Sequence, residues 1–590
     1  MKVNRNQIFL DTKFPLLDDV IEEAKNISET VTIGKCPFLV ENEIKSECEY
    51  KRNKIKKKEL MFHGQIGYRD LAKTRRAYQE IYETLKSYGY YIDRYGICLD
   101  WSMGYPSQYR ESMPKGTGLI LKKPEDFISL TEAAPVAPHF GDFMIGTPAS
   151  VENTIAAINA GSTSIGNIGQ YFTFRMPQWH DDVETTVQTI KAITICASQP
   201  VEFLIHSNLD DGFAALFTDM SCTIGAVLLE RYIVEELLGG NMSHCYGHTF
   251  SEPLTRLAFQ RALSQVIKSP GSMIYGNTTI YVEEEVENYA NLASYFLVDI
   301  ISQKTQPTGH GLNPVPVTEA IHIPEIHEVI NAHQFAHRLA NRADGYELLF
   351  DFQKADHIAN KLIKAGTEFK HQVLTGFEHA GIDIKNPLEL LLAIRRLGAK
   401  QLEELYGPGK FDKNQPRGRI PVIQATPLKE LEQKSEDIIA SLGLENLQEL
   451  KKANLKICIA STDVHEYGKI LVESVLHKIG VLIVDGGVSS DPDVVARHAK
   501  SADADFIAIS TYSGVALKYI KQLLDELNLL EYRKPIFIGG KLNQISEENS
   551  SSLPKDVTTE LQALGVFVCY RVEDLIDKLI EMLRSKLNGK

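Results

Sequence analysis

The 590 residues hold 63 Lys+Arg against 77 Asp+Glu, a formal charge of −14, and 43% are hydrophobic. That length exceeds what one hydrophobic core supports and suits two or three globular domains, while the acidic balance excludes general nucleic-acid binding, which requires a positive footprint. The 8 cysteines form no Cys-x-x-Cys pair and several fall in apolar runs, so they read as reduced core thiols of a cytoplasmic protein. No apolar run approaches the roughly 20 residues of a membrane span, and the first residues lack the apolar stretch of a signal peptide.

Residues 1–59 show little strand alternation and end in a basic run, Lys51-Arg-Asn-Lys-Ile-Lys-Lys-Lys58. They read as an N-terminal extension, either a solvated arm or one that wraps an acidic partner. From about 60 to 340, short β-branched or aromatic runs alternate with amphipathic stretches. Strands are expected at 91–98, 135–139, 161–166, 201–205, 241–246 and 271–275. Helices are expected at 150–159 and 225–238, the second closed by Gly239-Gly240. Repeated strand and helix over this length fits a (β/α)8 barrel better than an open sheet, and in a barrel the chemistry belongs to loops at the strands' carboxyl ends. Residues 342–400 continue as helices of the same domain.

Within this half, Arg94, Arg110 and Arg175 are candidate clamps for a substrate carboxylate, because a guanidinium fork matches a carboxylate bidentately. A surface ion pair is the ordinary alternative for each. Tyr171 is a further substrate-binding candidate. His244, Cys245 and His248 invite a zinc reading, but the alternation before them marks a strand end, where His-x-x-x-His no longer sets both rings on one face. His244 or His248 is expected instead to line an active site on a barrel loop.

Residues 401–453 form a linker and helix: Tyr406 to Pro421 is rich in Gly, Pro and charge, a composition that crosses between domains without a fold of its own, and a charged amphipathic helix follows at about 427–453. The last domain, 454–590, opens with the apolar run Leu455-Lys-Ile-Cys-Ile-Ala460, which breaks into Ser461-Thr-Asp-Val-His-Glu-Tyr-Gly468 and then a helical pattern. Further strands at 480–484, 504–509 and 534–538 end in Asp485-Gly-Gly, Ser510-Thr511-Tyr512 and Gly539-Gly540. This is the pattern of a doubly wound α/β domain. His465 then sits on a loop at a strand's carboxyl end, where open parallel sheets bind ligands. Asp463 is placed to take the second ring N–H, as partners of metal-ligating histidines do. Gly468 lets the turn approach a bulky ligand.

The Asp463-x-His465-x-x-Gly468 spacing with these strand ends resembles the cobalamin-binding domain of the methionine synthase, methylmalonyl-CoA mutase and glutamate mutase group. The resemblance implies His465 as axial ligand to cobalt, with Thr462, Asp463, Val464, Glu466, Gly468, Ser510, Thr511, Tyr512, Gly539 and Gly540 around the cofactor. One departure is Ser510-Thr511-Tyr512, where the group has Ser-x-Leu. In the first half, Ile145-Gly-Thr-Pro-Ala-Ser150, Ala160-Gly-Ser-Thr-Ser164 and Thr318-Glu319-Ala-Ile resemble the catalytic barrel of the adenosylcobalamin-dependent carbon-skeleton mutases. That likeness implies a cofactor-side role for Glu319, and Arg175, His244 and Glu319 are the expected catalytic residues. An arginine before Gly-Thr-Pro and a glutamate base after Thr-Ser are missing, at Met144-Ile145 and within Ile165–Gly169, so an amino-acid substrate is not expected. The resemblance implies a homo-oligomeric, cytoplasmic radical isomerase of a small dicarboxylic acid, 2-methyleneglutarate being the first guess. A corrinoid-dependent methyltransferase, a pyridoxal-phosphate aminomutase and a non-catalytic cobalamin sensor stay open beside it.

Overall fold

Parallel strands, most of them followed by a helix, recur along the whole chain. A computed structural model describes residues 4–588 except 11, 210–216, 248–251, 279, 414, 416, 463–466, 513 and 546–553. It divides into two compact units, one of Met1–Met176 with His180–Thr426 and one of Pro427–Lys590 with Pro177–Trp179. Among the described residues no helix is long and apolar enough to cross a membrane.

The first unit holds β1 (Met61–Ile66), β2 (Arg94–Ile97), β3 (Ala137–His139), β4 (Ser164–Ile165), β5 (Leu204–Asn208), β6 (Asn241–Cys245), β7 (Met273–Ile274) and β8 (Gly311–Leu312). They form two sheets, ordered β3-β2-β1-β8-β7 and β4-β5-β6, in which every pairing is parallel. Single parallel bridges, Phe140 to Ile165 and Tyr246 to Ile274, join the ends of the two sheets. Sequence periodicity does not reveal β1 or β8. His63, Gly64 and Gln65 interrupt the apolar run of the first, and the second is Gly-Leu alone.

The side chains on one face of these strands are polar. A Cβ on Gly96 would meet Gln65 Oε1 and His63 Nε2, so Gly96, His63 and Gln65 share that face, and Arg94, two residues before Gly96, shares it too. Arg94 is fully buried; its Nε donates to Glu47 at 2.7 Å and its Nη2 to Ser164 Oγ at 3.1 Å. Nearby, the rings of His139 and His206 lie 4.7 Å apart, and His206 Nδ1 is 2.7 Å from Ser272 Oγ.

The N-terminal residues are not a solvated arm. Cys36, Phe38 and Leu39 pack against Ala137 of β3, and the basic run belongs to the helix Glu47–Lys57. In that helix Lys51 is fully buried and donates to the carbonyls of Ser272, at 3.1 Å, and Gly309, at 2.8 Å. A long aliphatic stem carries its ammonium to carbonyls just ahead of β7 and β8, where water cannot reach them. The Gly/Pro-rich stretch after Tyr406 is also no free linker. Arg419 donates to the carbonyls of Glu404, Leu405 and Gly409, and Asp219 accepts from the Val422 amide at 2.7 Å, which stitches the stretch to the first unit. The expected single helix at 427–453 is two, Thr426–Ser441 and Leu444–Ala453, broken at Gly443 with φ +75°.

The second unit contains β9 (Lys456–Ser461), β10 (Leu482–Gly487), β11 (Phe506–Thr511), β12 (Ile536–Gly540), a small antiparallel pair β13 (Asn543–Gln544) and β14 (Lys555–Asp556), and β15 (Phe567–Cys569). Its parallel sheet runs β10-β9-β11-β12-β15. Alternation along the strands sends Cys458, Ala460, Ile507, Ile509, Ile536 and Ile538 to one face, against Val495, Ile520 and Leu523 of the helices Pro492–Ser501 and Ala516–Leu529. Ile457, Ile459, Phe506, Ala508 and Phe537 face the other way, against Val475 and Leu476 of Tyr467–Lys478 and Ile576 and Leu579 of the last helix. Helices thus cover both faces, which is why these strands read as continuous apolar runs.

Buried histidines make the first unit acid-sensitive. His333 is fully buried, and burial, helped by nearby His337, pulls its ring down to about 3. The unfolded ring takes a proton below about 6.5 while the folded one stays neutral, so full stability holds above that value and falls as pH drops toward 3. His333→Leu is expected to gain about 2 kcal/mol on the wild type between pH 7.5 and 5. Urea midpoints at the two pH values measure this, and parallel pH dependence of both proteins would refute it.

Candidate functional site

In the second unit the strand order places the first and third strands side by side at its centre, and their connections leave in opposite directions. That crevice at the carboxyl ends is where doubly wound sheets take ligands. Asp463-Val464-His465-Glu466 follow β9 directly in the chain and lie outside the described residues. The structure brings the flanking candidates together. The Thr462 amide donates to the Ser510 carbonyl at 2.9 Å, and the hydroxyls of Thr462 and Thr511 are 2.9 Å apart. A Cβ on Gly468 would lie 2.8 Å from Ser510 Oγ, so the helix start at Tyr467–Gly468 comes close against the end of β11, and a side chain there would make the Ser510 hydroxyl turn away. Gly540 has φ +104°, and a Cβ there would be 2.2 Å from the Thr511 carbonyl. A Cβ on Gly539 would be 2.9 Å from the Cys569 carbonyl. Tyr512 is exposed, at 52%. Beneath this rim Lys469 pairs with Glu473 at 2.7 Å and Asp485 at 3.0 Å.

The first unit collects a different set. Cys98, just past β2, lies within electrostatic reach of Asp142, three residues past β3, and of Glu319, past β8. Glu319 is open to water yet closely surrounded by protein, as a group lining a recess is, and desolvation lifts its carboxyl to about 7. The Asp142 carboxyl, partly accessible, is lifted to about 6 by the same cause, with Asn167 pulling the other way. Gln170 Nε2 approaches Asp142 Oδ1 at 3.4 Å. Sequence reasoning singled out Glu319 but not Asp142 or Cys98. The available signal was their position just after β2 and β3, at the carboxyl ends of parallel strands.

The arginines are engaged elsewhere. Arg94 opens β2, at its amino end, and holds Glu47. Arg110 donates to the carbonyls of Leu121, Met103 and Tyr105 and pairs with Glu152 at 2.9 Å, bracing the chain after β2. Arg175 Nη2 donates to the Arg395 carbonyl at 2.7 Å, and burial together with the Arg395 charge brings its guanidinium down to about 9. The Tyr171 hydroxyl is 2.7 Å from that of Thr186, and the Arg395 guanidinium sits 4.8 Å from the Tyr171 ring centre. His244 Nε2 is 2.9 Å from Glu230, which also accepts from Ser207 Oγ at 2.7 Å, so that ring faces the helix Met220–Arg231. His248 lies outside the described residues. Among the described residues no group of three or more His, Cys, Asp or Glu is placed to hold a metal ion, and all the cysteines are free thiols.

No known family model matches the chain. Among solved structures it is similar to a novel cobalamin-binding protein from Desulfitobacterium hafniense DCB-2, at 18% identity over 26% of this chain and 70% of that one. The TM-score is 0.20, a level at which the likeness assigns no fold.

The close approach at Gly468 can be tested by adding and relieving bulk. Gly468→Ala is expected to destabilise the second unit by about 1–3 kcal/mol, the cost of overpacking. Gly468→Ala with Ser510→Gly should recover most of the loss. Thermal unfolding of the full chain reads both, and a double variant no better than the single one would show that the contact is not the cause.

Proposed function

We propose that this chain is an adenosylcobalamin-dependent carbon-skeleton mutase acting on a small dicarboxylic acid, with 2-methyleneglutarate to 3-methylitaconate as the first reaction to try. The observation that carries the reading is in the second unit. Asp463-x-His465-x-x-Gly468 follows the first strand of a 2-1-3-4-5 parallel sheet, at its switch point, and the strand ends around it are small: Ser461, Thr462, Ser510, Thr511, Gly539 and Gly540. At Gly468 and Gly540 a Cβ would meet Ser510 Oγ and the Thr511 carbonyl, so the chain passes close to the end of β11 at both places. Small side chains at the strand ends suit a large planar group with a long tail. His465 would hold the cofactor through its imidazole, with Asp463 fixing the tautomer and Thr462 and Ser510 offering hydroxyls. Adenosylcobalamin supplies, when bound, a weak cobalt–carbon bond whose homolysis starts hydrogen abstraction from the substrate.

The catalytic half of the proposal reads the eight parallel strands of the first unit as one (β/α)8 barrel, the two single bridges completing the circle. Cys98, Asp142 and Glu319 then line its active face. With their carboxyls raised toward neutrality, Asp142 below about pH 6 and Glu319 below about pH 7 carry protons that they can donate to a substrate carboxylate, while the surrounding protein keeps water off the reacting carbon. Arg94 and Arg110 hold protein groups and take no such part; Arg175 is the arginine to test at the substrate. A cytoplasmic homo-oligomer is the setting this reading expects.

His465→Ala, loaded with adenosylcobalamin, should show the visible spectrum of a water-ligated rather than a histidine-ligated cobalt; an unchanged spectrum dismisses the ligand assignment. Proton NMR of the wild type with adenosylcobalamin and a panel of small dicarboxylates should reveal an isomer. Turnover only with methylcobalamin and a methyl donor would make the protein a methyltransferase instead. Because Asp142 loses its proton above about 6 and Glu319 above about 7, KM is expected to climb from about pH 6 upward, and Asp142→Asn should flatten the lower part of the rise.

A further inference from the structure

A cavity of about 390 Å³ opens on the opposite side of the first unit, at the amino ends of the strands. It lies between the helix Glu47–Lys57, the end of the helix Pro253–Val266 and the segments that lead into β7 and β8. The volume is in the range of small-molecule pockets. No residue of the candidate site described above lines it, apart from His244.

Its lining changes character with depth. Arg52, Lys56 and Lys268 are exposed and form the mouth. Arg52 is paired with Glu202 at 2.6 Å, so the excess positive charge comes from the two lysines, and among the described residues no carboxylate lines the cavity. Ile55, Leu263 and Ile267 make an apolar middle. His244 and His310 close the deep end, 1% and 4% exposed.

The deep end holds the second, independent observation. His244 Nε2 is held by the Glu230 carboxylate at 2.9 Å, which fixes the N–H on that nitrogen. Nδ1 is buried with no hydrogen-bond partner among the described residues. A buried ring nitrogen without a partner favours a ligand that brings it a hydrogen-bonding group, and a hydroxyl can serve either as donor or as acceptor. His310 beside it is kept neutral, drawn down to about 3 by burial and by Lys51, and its Nδ1 is 2.6 Å from Thr308 Oγ1.

We infer that this cavity is a binding site for a small organic anion: a carboxylate or phosphate head meets Lys56 and Lys268 at the mouth, a short hydrocarbon body lies against Leu263 and Ile267, and a hydroxyl at the far end pairs with His244 Nδ1. The site is separate from the corrinoid and the substrate recess and requires neither. Its occupant is chosen by three features at once, and a dianion lacking an apolar middle or a hydrocarbon lacking a charged head meets only part of it.

Isothermal titration of the full chain without corrinoid, using 6-hydroxyhexanoate as probe, tests the inference. Saturable binding is expected, and 1,6-hexanediol, which lacks the charge, should bind at least about tenfold more weakly, as should 6-hydroxyhexanoate to a Lys56→Ala/Lys268→Ala double variant. Both lysines are exposed, so that variant is expected to fold. Ile267→Trp, which fills the middle, should abolish binding. No saturable binding, or equal affinity in the double variant and the wild type, overturns the proposal; equal affinity for hexanoate overturns the contact at His244. Because no cobalamin is present, the result stands or falls apart from the mutase reading.

Discussion

Arg94 carries a charge that has no contact with water, at the amino end of the second strand, and the carboxylate that balances it comes from a different part of the chain, Glu47, at 2.7 Å. Lys51, one helical turn on, is equally buried and 3.5 Å from the same carboxylate. Burial draws its ammonium down to about 8, so near neutral pH it stays charged and keeps its bonds to two carbonyls beside the strands. A buried pair of this kind adds little net stability, but losing one partner leaves a charge in a dry interior at a cost of about 3–5 kcal/mol. The first 60 residues are therefore tied into the fold by necessity. Because the N-terminal helix closes that end of the strands, it also provides one wall of the basic-mouthed cavity.

The opposite end of the same strands has the reverse electrostatics. There Asp142 and Glu319 are carboxyls with some access to water, and their elevated proton affinity follows from desolvation by the surrounding protein. The arginines that a reader of the sequence would assign to an anionic substrate are occupied in holding backbone carbonyls, Glu47 or Glu152. A guanidinium has five donors in a rigid fork, which makes it as suitable for tying loops together as for gripping a ligand. In the proposed reading, anion recognition at this face rests on protonated carboxyls, and its strength is a function of pH.

The second unit shows how much of a site depends on what is missing. Gly468 and Gly540 bring backbone and hydroxyl groups within distances that any Cβ would forbid, and the result is a narrow rim of small residues at the switch point of the sheet. The first four strands here were legible from their composition, because helices cover both faces and the runs are apolar, while β15 was not read from the sequence. In the first unit the strands are short, their inner face is polar, and β1 and β8 were invisible for that reason. The helices Ser150–Asn159 and Phe352–His379 were plain from their periodicity.

The sequence by itself determined the succession of strand and helix, the position of the Asp463-x-His465-x-x-Gly468 segment after an apolar strand, and the small residues at the other strand ends. These depend on local propensity and on side-chain period, both of which are written in neighbouring residues. Only the tertiary structure decided which arginines are occupied, that Asp142 and Cys98 join Glu319, that the basic run at Lys51 turns inward, and that His244 faces a cavity on the far side from the one expected. Each of these is set by a partner far away in the chain, Glu47 for Arg94 or Glu152 for Arg110, and the energy of a buried charge or polar atom is fixed by that partner and by the exclusion of water, neither of which a local pattern contains.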